Sequence, residues 1–320
     1  MTRPLVTIGI PTVSRAAYLI EAVDAALNQT WSPLEVLIGD DGESAEIFDW
    51  CQRRSAEDGR LRYQRNPHRR GLAGNWNAIA ASAAGEFIVL PGDDDRLLPD
   101  FVERAMAVVT PASSVVFSNH HIIDDSGRRL PEETSRTEQE YHRAALAPGQ
   151  VADPAICAWR LSICPSAALI RRGEILRLGF RDELNSPDVE FFIRLAGEGA
   201  RFDFVADRLV EFRRHTQGTA TASGLRHEAL LARLLTIDVP ANVEPVKHEL
   251  ISRLIVNAVS RCLHKRDWQT ARDLLRSPYY PRSSRLVSRC TQQLCAGLPK
   301  SIGAPIYQAI ASIKRAGSSR

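Results

Sequence analysis

The chain has 320 residues, of which 44% are hydrophobic and 25% charged, with a formal net charge of +3. These proportions belong to a soluble globular protein and exclude a disordered, collagen-like or coiled-coil chain. The length predicts one large domain with an appendage, or two domains. Charge is distributed unevenly: residues 225–320 carry 16 Lys and Arg against 6 Asp and Glu, whereas residues 1–224 carry 25 against 32. The asymmetry predicts two regions with different neighbours, although solvated helix faces give the same count.

The elements follow in chain order. Val6 to Ile10 reads as a strand, Arg15 to Gln29 as a helix with Leu19, Val23, Ala26 and Leu27 on one side, and Leu34 to Ile38 as a second strand. Ser44 suits a helix N-cap before Ile47, Phe48 and Cys51. Leu61 to Tyr63 is a short strand, a small-residue helix runs from Gly71 to about Ala84, and Phe87 to Leu90 is a buried strand stopped by Pro91-Gly92. A helix over Asp100 to Val109 and a strand at Val115 to Phe117 complete the alternation, which predicts a largely parallel, doubly wound sheet covered by helices. Residues 124–150 are polar and broken by Gly127, Pro131, Pro148 and Gly149, so loop with some hairpin is expected there. Ala167 to Ile170 restores a strand, Asp188 to Gly197 a helix, and Phe202 to Val205 and Leu209 to Phe212 two short strands. From Leu225 only helical patterns remain. The predicted division is therefore an α/β domain over 1–224 and a basic α-helical region over 225–320.

In an open parallel sheet, ligands sit at the carboxyl ends of the strands. The unusual residues gather there: Pro11 to Arg15 after the first strand, Asp40-Asp41-Gly42 after the second, and Asp93-Asp94-Asp95 after the strand ending at Leu90. Three adjacent carboxylates repel one another. A divalent cation with hard oxygen ligands, Mg2+ or Mn2+, relieves that repulsion, and a diphosphate is its usual second partner. The plain alternative is a solvated acidic turn. The six cysteines form no C-x-x-C pair and no zinc spacing, so reduced and mostly buried thiols are expected.

These residues carry a resemblance. The runs Val6 to Thr12 with Arg15, Ala26 to Thr30, Leu34 to Gly42, Gly71 followed by Asn75-Trp76-Asn77-Ala78, and Ala84 to Ile88 leading to Gly92 to Asp100 are together similar to the family 2 glycosyltransferases of the GT-A fold. The likeness extends to Asp188 to Leu195 and to Arg213-Arg214-His215. It departs from the family pattern at Val13-Ser14, Glu43, Gly74 and Pro187. The resemblance implies a GT-A nucleotide-diphospho-sugar transferase fold with a C-terminal helical extension. It implies that Pro11, Thr12, Arg15, Asp40, Asn75 and Asp93 bind the nucleotide sugar, that Asp94, Asp95 and His215 hold Mn2+ or Mg2+, and that Asp188 is the general base. The chemistry requires such a set: a carboxylate to take the acceptor's proton, and positive charge to stabilise the leaving nucleoside diphosphate. One base and one in-line displacement imply inversion at the anomeric carbon. For Asp188 the alternative is an anion placed in a helix's first turn.

The expected partners are a UDP-, GDP- or dTDP-sugar donor and a glycan or lipid-linked acceptor. Near the C-terminus Ile302, Ile306, Ile310 and Ile313 form one stripe flanked by Lys300, Lys314 and Arg315. Such a helix packs on its own protein, on a second copy in a homo-oligomer, or on an anionic membrane surface. No nucleic-acid motif appears. The run Leu5 to Ile10 is too short for a membrane span or secretory core, so a cytoplasmic location is expected, with peripheral contact at the inner face of the cell membrane as the variant. Two other readings stand beside the transferase. One is a nucleotidyltransferase, although Pro11-Thr12-Val13-Ser14 lacks a glycine-rich phosphate loop; the other is an inactive relative that binds a nucleotide sugar or acts as a scaffold.

Overall fold

A computed structural model describes residues 3–214, 227–281 and 286–318. The chain divides into two compact units, Met1–Leu225 and Arg226–Arg320. In the first, β1 (Val6–Thr12), α1 (Ala16–Leu27), β2 (Leu34–Asp40), α2 (Ala45–Glu57), β3 (Leu61–Arg65), α3 (Gly71–Ser82) and β4 (Phe87–Val89) alternate as expected. Strands β1 to β4 are mutually parallel and lie in the order 3-2-1-4. Burial of every residue of β1 and β2 explains their nearly unbroken apolar runs. Ser44 caps α2 by accepting from Ile47 N.

Glycines at the centre of this half let α3 lie directly on the sheet. A Cβ on Gly9 would stand 2.4 Å from Ile79 Cγ2, and one on Gly39 would stand 2.5 Å from Ile79 Cγ1. Ile79 is fully buried between them.

The second half of the sheet is mixed where the rhythm predicted mostly parallel strands. After β5 (Arg96–Leu97), α4 (Phe101–Met106) and β6 (Ser113–Ile123), the chain forms α5 (Pro131–Glu140), β7 (Gly149–Gln150), α6 (Pro154–Trp159) and β8 (Ala168–Arg171). It closes with α7 (Arg172–Leu178), α8 (Pro187–Gly197) and β9 (Arg201–Arg213). Strand β8 inserts antiparallel between β4 and β6, while β9 runs parallel to β6 and antiparallel to β5 and β7. The polar stretch expected to be loop contains α5. Its buried side is made of Thr134, Thr137 and Glu138, so it shows no apolar period. The two short strands expected near the end of this unit are one strand, β9, continuous through exposed Ala206 to Arg208.

The second unit consists of helices His227–Leu235, Glu244–His264, Trp268–Arg276, Leu286–Gly297 and Lys300–Ser318. Leu250, Ile251, Ile255, Ala258, Val259 and Leu263 of the long helix are buried, as are Trp268, Ala271, Cys295 and Tyr307. The last helix presents Gly303, Ala304 and Tyr307 inward, while Ile302 is 51% exposed and Ile306 and Ile310 are half-buried. The side chains of Ile313, Lys314 and Arg315 lie outside the described residues. Among the described residues no helix is long and apolar enough to cross a membrane.

Candidate active site

The ends of β1, β2 and β4 bring the predicted residues into one place. Thr12 and Asp40 close β1 and β2 side by side, and the acidic triplet follows β4 after Pro91-Gly92. Thr12 Oγ1 donates to Asp93 Oδ2 at 2.8 Å. Arg15, just before α1, donates through Nη1 to Asp94 Oδ2 at 2.7 Å and through Nη2 to Asp93 Oδ1. Pro11 is buried beside Thr12.

The three carboxylates of the triplet differ. Burial holds Asp93 above the usual carboxylate range; Arg15 pulls it back and the charge of Asp94 pushes it up again. Asp95 is pushed up to about 7, first by burial and then by the charge of Asp94. Both its oxygens accept from the protein: Oδ2 from Ser166 Oγ at 2.5 Å and Oδ1 from Arg213 N at 2.9 Å. Asp94 has the most exposed side chain of the ion-paired two, 16% against 4% for Asp93. A Cβ on Gly92 would stand 2.5 Å from Asp94 Oδ1 and 3.2 Å from Asp95 Oδ2, so the turn folds closely around those carboxylates. Carboxylate oxygens are hard ligands of the kind that suit Mg2+ or Mn2+, and Asp94 is the more accessible of the two paired with Arg15. Among the described residues no cluster of three His, Cys, Asp or Glu side chains makes a protein-only metal site. A cation bound there would have to take ligands from beyond these side chains. His215 lies outside the described residues.

At the end of β2, Asp40 is fully buried. Its Oδ1 accepts from Gly42 N at 2.9 Å, and its Oδ2 accepts from Tyr63 OH at 2.6 Å and Arg65 Nε at 3.1 Å. Desolvation, and then the bonded Asp40 carboxylate, hold the Tyr63 phenol well above its ordinary range. Asp41 accepts from Arg70 N at 2.7 Å, Gly71 N at 2.8 Å and Asn66 Nδ2 at 3.0 Å, and so satisfies donors at the start of α3. Asn75 is buried, with Nδ2 donating to Gly39 O at 2.7 Å and Oδ1 accepting from Asn66 Nδ2 at 3.0 Å. Both ends of that amide engage the protein, so Asn75 joins α3 to the end of β2.

The start of α8 is positioned by α3. Asn77 Nδ2 donates to Phe180 O and Phe180 N donates to Asn77 Oδ1, each at 2.8 Å. The Phe180 ring lies 5.0 Å from Trp76 and 4.5 Å from Phe191 of α8, centre to centre. Asp188 occupies the first turn of α8, where its own N–H and that of Val189 support the ionised form. Desolvation outweighs them and pushes the carboxyl up to about 6. Glu190 is different: its two oxygens accept from Arg181 and Arg194, which makes it a buried structural ion pair. The Cys164 thiol, pushed up to about 12 by desolvation, also feels the charges of Asp95 and Asp188.

Two residues essential to this geometry carry no role in the sequence reading. Ser166 comes from the turn before β8 and has no motif around it. Arg213 was visible only as part of a resemblance, yet its side chain is 1% exposed and ties the site together. It donates to Asp94 O at 2.9 Å, Asp125 O at 2.9 Å and Glu21 Oε2 at 2.6 Å, and packs on the Tyr18 ring.

A family model described as Glycosyl transferase family 2 matches residues 7–173. Among curated proteins, the chain is 30% identical over 117 residues to GalNAc(5)-diNAcBac-PP-undecaprenol beta-1,3-glucosyltransferase of Campylobacter jejuni, a match covering 36% of this chain and 38% of that one. It is 23% identical over 217 residues to glycosyltransferase GlyG of Streptococcus pneumoniae, covering 66% and 71%. Among solved structures, TarS 1-349 of S. aureus in complex with UDP-GlcNAc aligns with a TM-score of 0.64 at 15% identity, over 98% of this chain and 92% of that one. Mannosyltransferase PcManGT of Pyrobaculum calidifontis, in complex with GDP-Man and Mn2+, aligns with a TM-score of 0.61 at 17% identity, over 100% and 89%. These likenesses establish the fold as GT-A.

Proposed function

The chain belongs to glycosyl transferase family 2, and from that membership we propose that it transfers a sugar from a nucleoside-diphosphate sugar to an acceptor hydroxyl, with inversion, in the building of a polysaccharide or glycolipid. The observation that carries this reading is the meeting of Thr12, Arg15, Asp93 and Asp94 at the carboxyl ends of β1 and β4, with Asp188 on the neighbouring helix start. In this reading unit Met1–Leu225 is the catalytic domain and the basic helical unit an extension of it.

The residues divide by task. Asp40, held by Tyr63 and Arg65, faces the nucleobase, and Pro11 and Thr12 shape the floor beside it. Asp93, held by Thr12 and Arg15, takes the ribose. Mn2+ or Mg2+ bound with the donor supplies positive charge to the departing diphosphate, and Asp94 would hold it, with Asp95 and Arg213 fixing the backbone behind. Arg15 already compensates the triplet and is within reach to add its charge to the diphosphate. Asp188 takes the proton of the acceptor hydroxyl; a carboxyl raised to about 6 is a stronger base than an ordinary aspartate and is still mostly ionised at neutral pH. Relatives and neighbours act on or bind UDP- and GDP-sugars and an undecaprenol-linked glycan by their names, and the proposed donor and acceptor classes follow them.

The test is calorimetric titration with UDP, GDP and dTDP, with and without Mn2+. One nucleotide is expected to bind more tightly with the cation, and Asp94→Ala is expected to remove that enhancement. Equal affinity with and without Mn2+ for wild type overturns the cation's role; no binding of any nucleotide overturns the donor site.

A further inference from the structure

The end of the chain combines two patterns that rarely share one surface. Residues 277–320 carry seven Lys and Arg and no Asp or Glu, and within them the run Ser301 to Ile313 carries no charge of either sign. That run makes up most of the last helix, Lys300–Ser318. A helix at the surface of a folded unit ordinarily turns an apolar side inward and a charged side to water. Along this run the outward side has no charge to present.

The inward side is fixed by close packing. Gly303, Ala304 and Tyr307 are buried, and a Cβ on Gly303 would stand 2.3 Å from Cys295 O and 3.0 Å from Trp268 Cζ2. The Tyr307 ring meets His264 edge-on, 5.0 Å between centres. Positions 302, 305 and 309 recur at three and four residues and so share the other side of the helix. There Ile302, Pro305 and Ala309 are exposed, Ile302 by 51%, while Ile306 and Ile310 on the flank are half-buried. On the preceding helix, Leu286–Gly297, Leu294 is 60% exposed. A helix that is apolar on both sides belongs where both are covered, and its own unit covers one.

Charge decides what covers the other. A second copy of this chain would bring the same seven cations and no carboxylate to a self-complementary contact, setting like charge against like. An anionic lipid surface offers the complement of both features: phosphates for the Lys and Arg, and acyl chains for the uncharged run between them. Among the described residues no helix is long and apolar enough to cross a membrane, so the fit is to the surface of a bilayer. We propose that the last helix docks this protein on an anionic phospholipid bilayer through Ile302, Pro305 and Ala309, with the cations of residues 277–320 supplying the attraction. This surface belongs to the helical unit and does not rest on the transferase reading.

The test is co-sedimentation of the full chain with vesicles of phosphatidylcholine alone and of phosphatidylcholine mixed with phosphatidylglycerol. Binding is expected to the mixed vesicles, far weaker to the neutral ones, and falling as salt is raised. Ile302→Glu, which sets a carboxylate in the exposed face, is expected to weaken it about tenfold or more, and Lys300→Gln about fivefold. Leu176→Glu alters a leucine of the first unit that is 52% exposed, and is expected to bind as wild type does. If Ile302→Glu does not fold, Ala309→Glu tests the same face. Nucleotide affinity is expected to be unchanged in Ile302→Glu, so failure of docking and failure of the donor site are told apart. Absent binding to the mixed vesicles, equal binding to both kinds, or equal losses from Leu176→Glu and Ile302→Glu overturns the docking surface. A dimer in sedimentation velocity that Ile302→Glu dissociates assigns the face to a second copy and overturns it as well.

Discussion

Asp188 shows how one side chain's surroundings define its chemistry. Among the described residues Asp188, like Asp95, combines desolvation with no guanidinium partner of the kind that holds Glu190. Transfer is therefore expected to rise with pH through about 6, and Asp188→Asn to lower the rate by roughly 100-fold or more while leaving nucleotide affinity in place. The stability effect has the opposite sense. A folded carboxyl raised from 3.8 to about 6 binds its proton more tightly than the unfolded chain does, so its contribution falls as pH climbs between those values and stays unfavourable above them. Asp188→Asn should accordingly stabilise the protein at pH 7, by up to about 2 kcal/mol after allowance for its partial exposure. Urea melts of the two proteins at pH 7 and pH 4 check this, the difference vanishing at the lower pH. The sequence favoured a base at Asp188 over a first-turn anion; the tertiary structure adds the desolvation that raises its carboxyl.

The element that makes the site possible is α3. Its N-terminus is capped by Asp41, its Asn75 grips the end of β2, its Asn77 grips the chain before α8, and its Ile79 rests on two glycines of the sheet. Gly39→Ala would place a methyl 2.5 Å from Ile79 and 2.6 Å from Asn75 Oδ1. Neither neighbour has room to yield, so a loss of about 1–3 kcal/mol in urea unfolding is expected, together with weaker nucleotide binding as Asn75 is displaced. The small-residue composition of α3 and its place in the alternation were legible in sequence; its grip on both halves of the site was not. The same limit hid α5, whose buried face is threonine and glutamate, and shortened β6, whose Ser118-Asn119-His120 segment is polar yet buried. Periodicity reports burial only where burial and apolarity coincide.

At the scale of the whole molecule, each of the two units has its own buried residues, the first around the sheet and the second around the long helix Glu244–His264. Separate cores predict that heat unfolding is not two-state: scanning calorimetry should give an enthalpy above the van't Hoff value, and addition of nucleotide with Mn2+ should move only the part of the transition that belongs to the first unit. A single transition with matching enthalpies would contradict this. The sequence by itself determined what is local: the βαβ alternation, the strand-end positions of Thr12, Asp40 and the triplet, and the break in charge near residue 225. These follow from side-chain period and from the rule that strand ends carry ligands, both written within short windows. The tertiary structure alone decided how the surroundings of the three aspartates differ, because Ser166, Arg15 and Arg213 reach them from 71, 78 and 118 positions away. It alone placed β8 antiparallel within the sheet, between β4 and β6. Each depends on which distant groups share a low-dielectric space, and that is a property of packing.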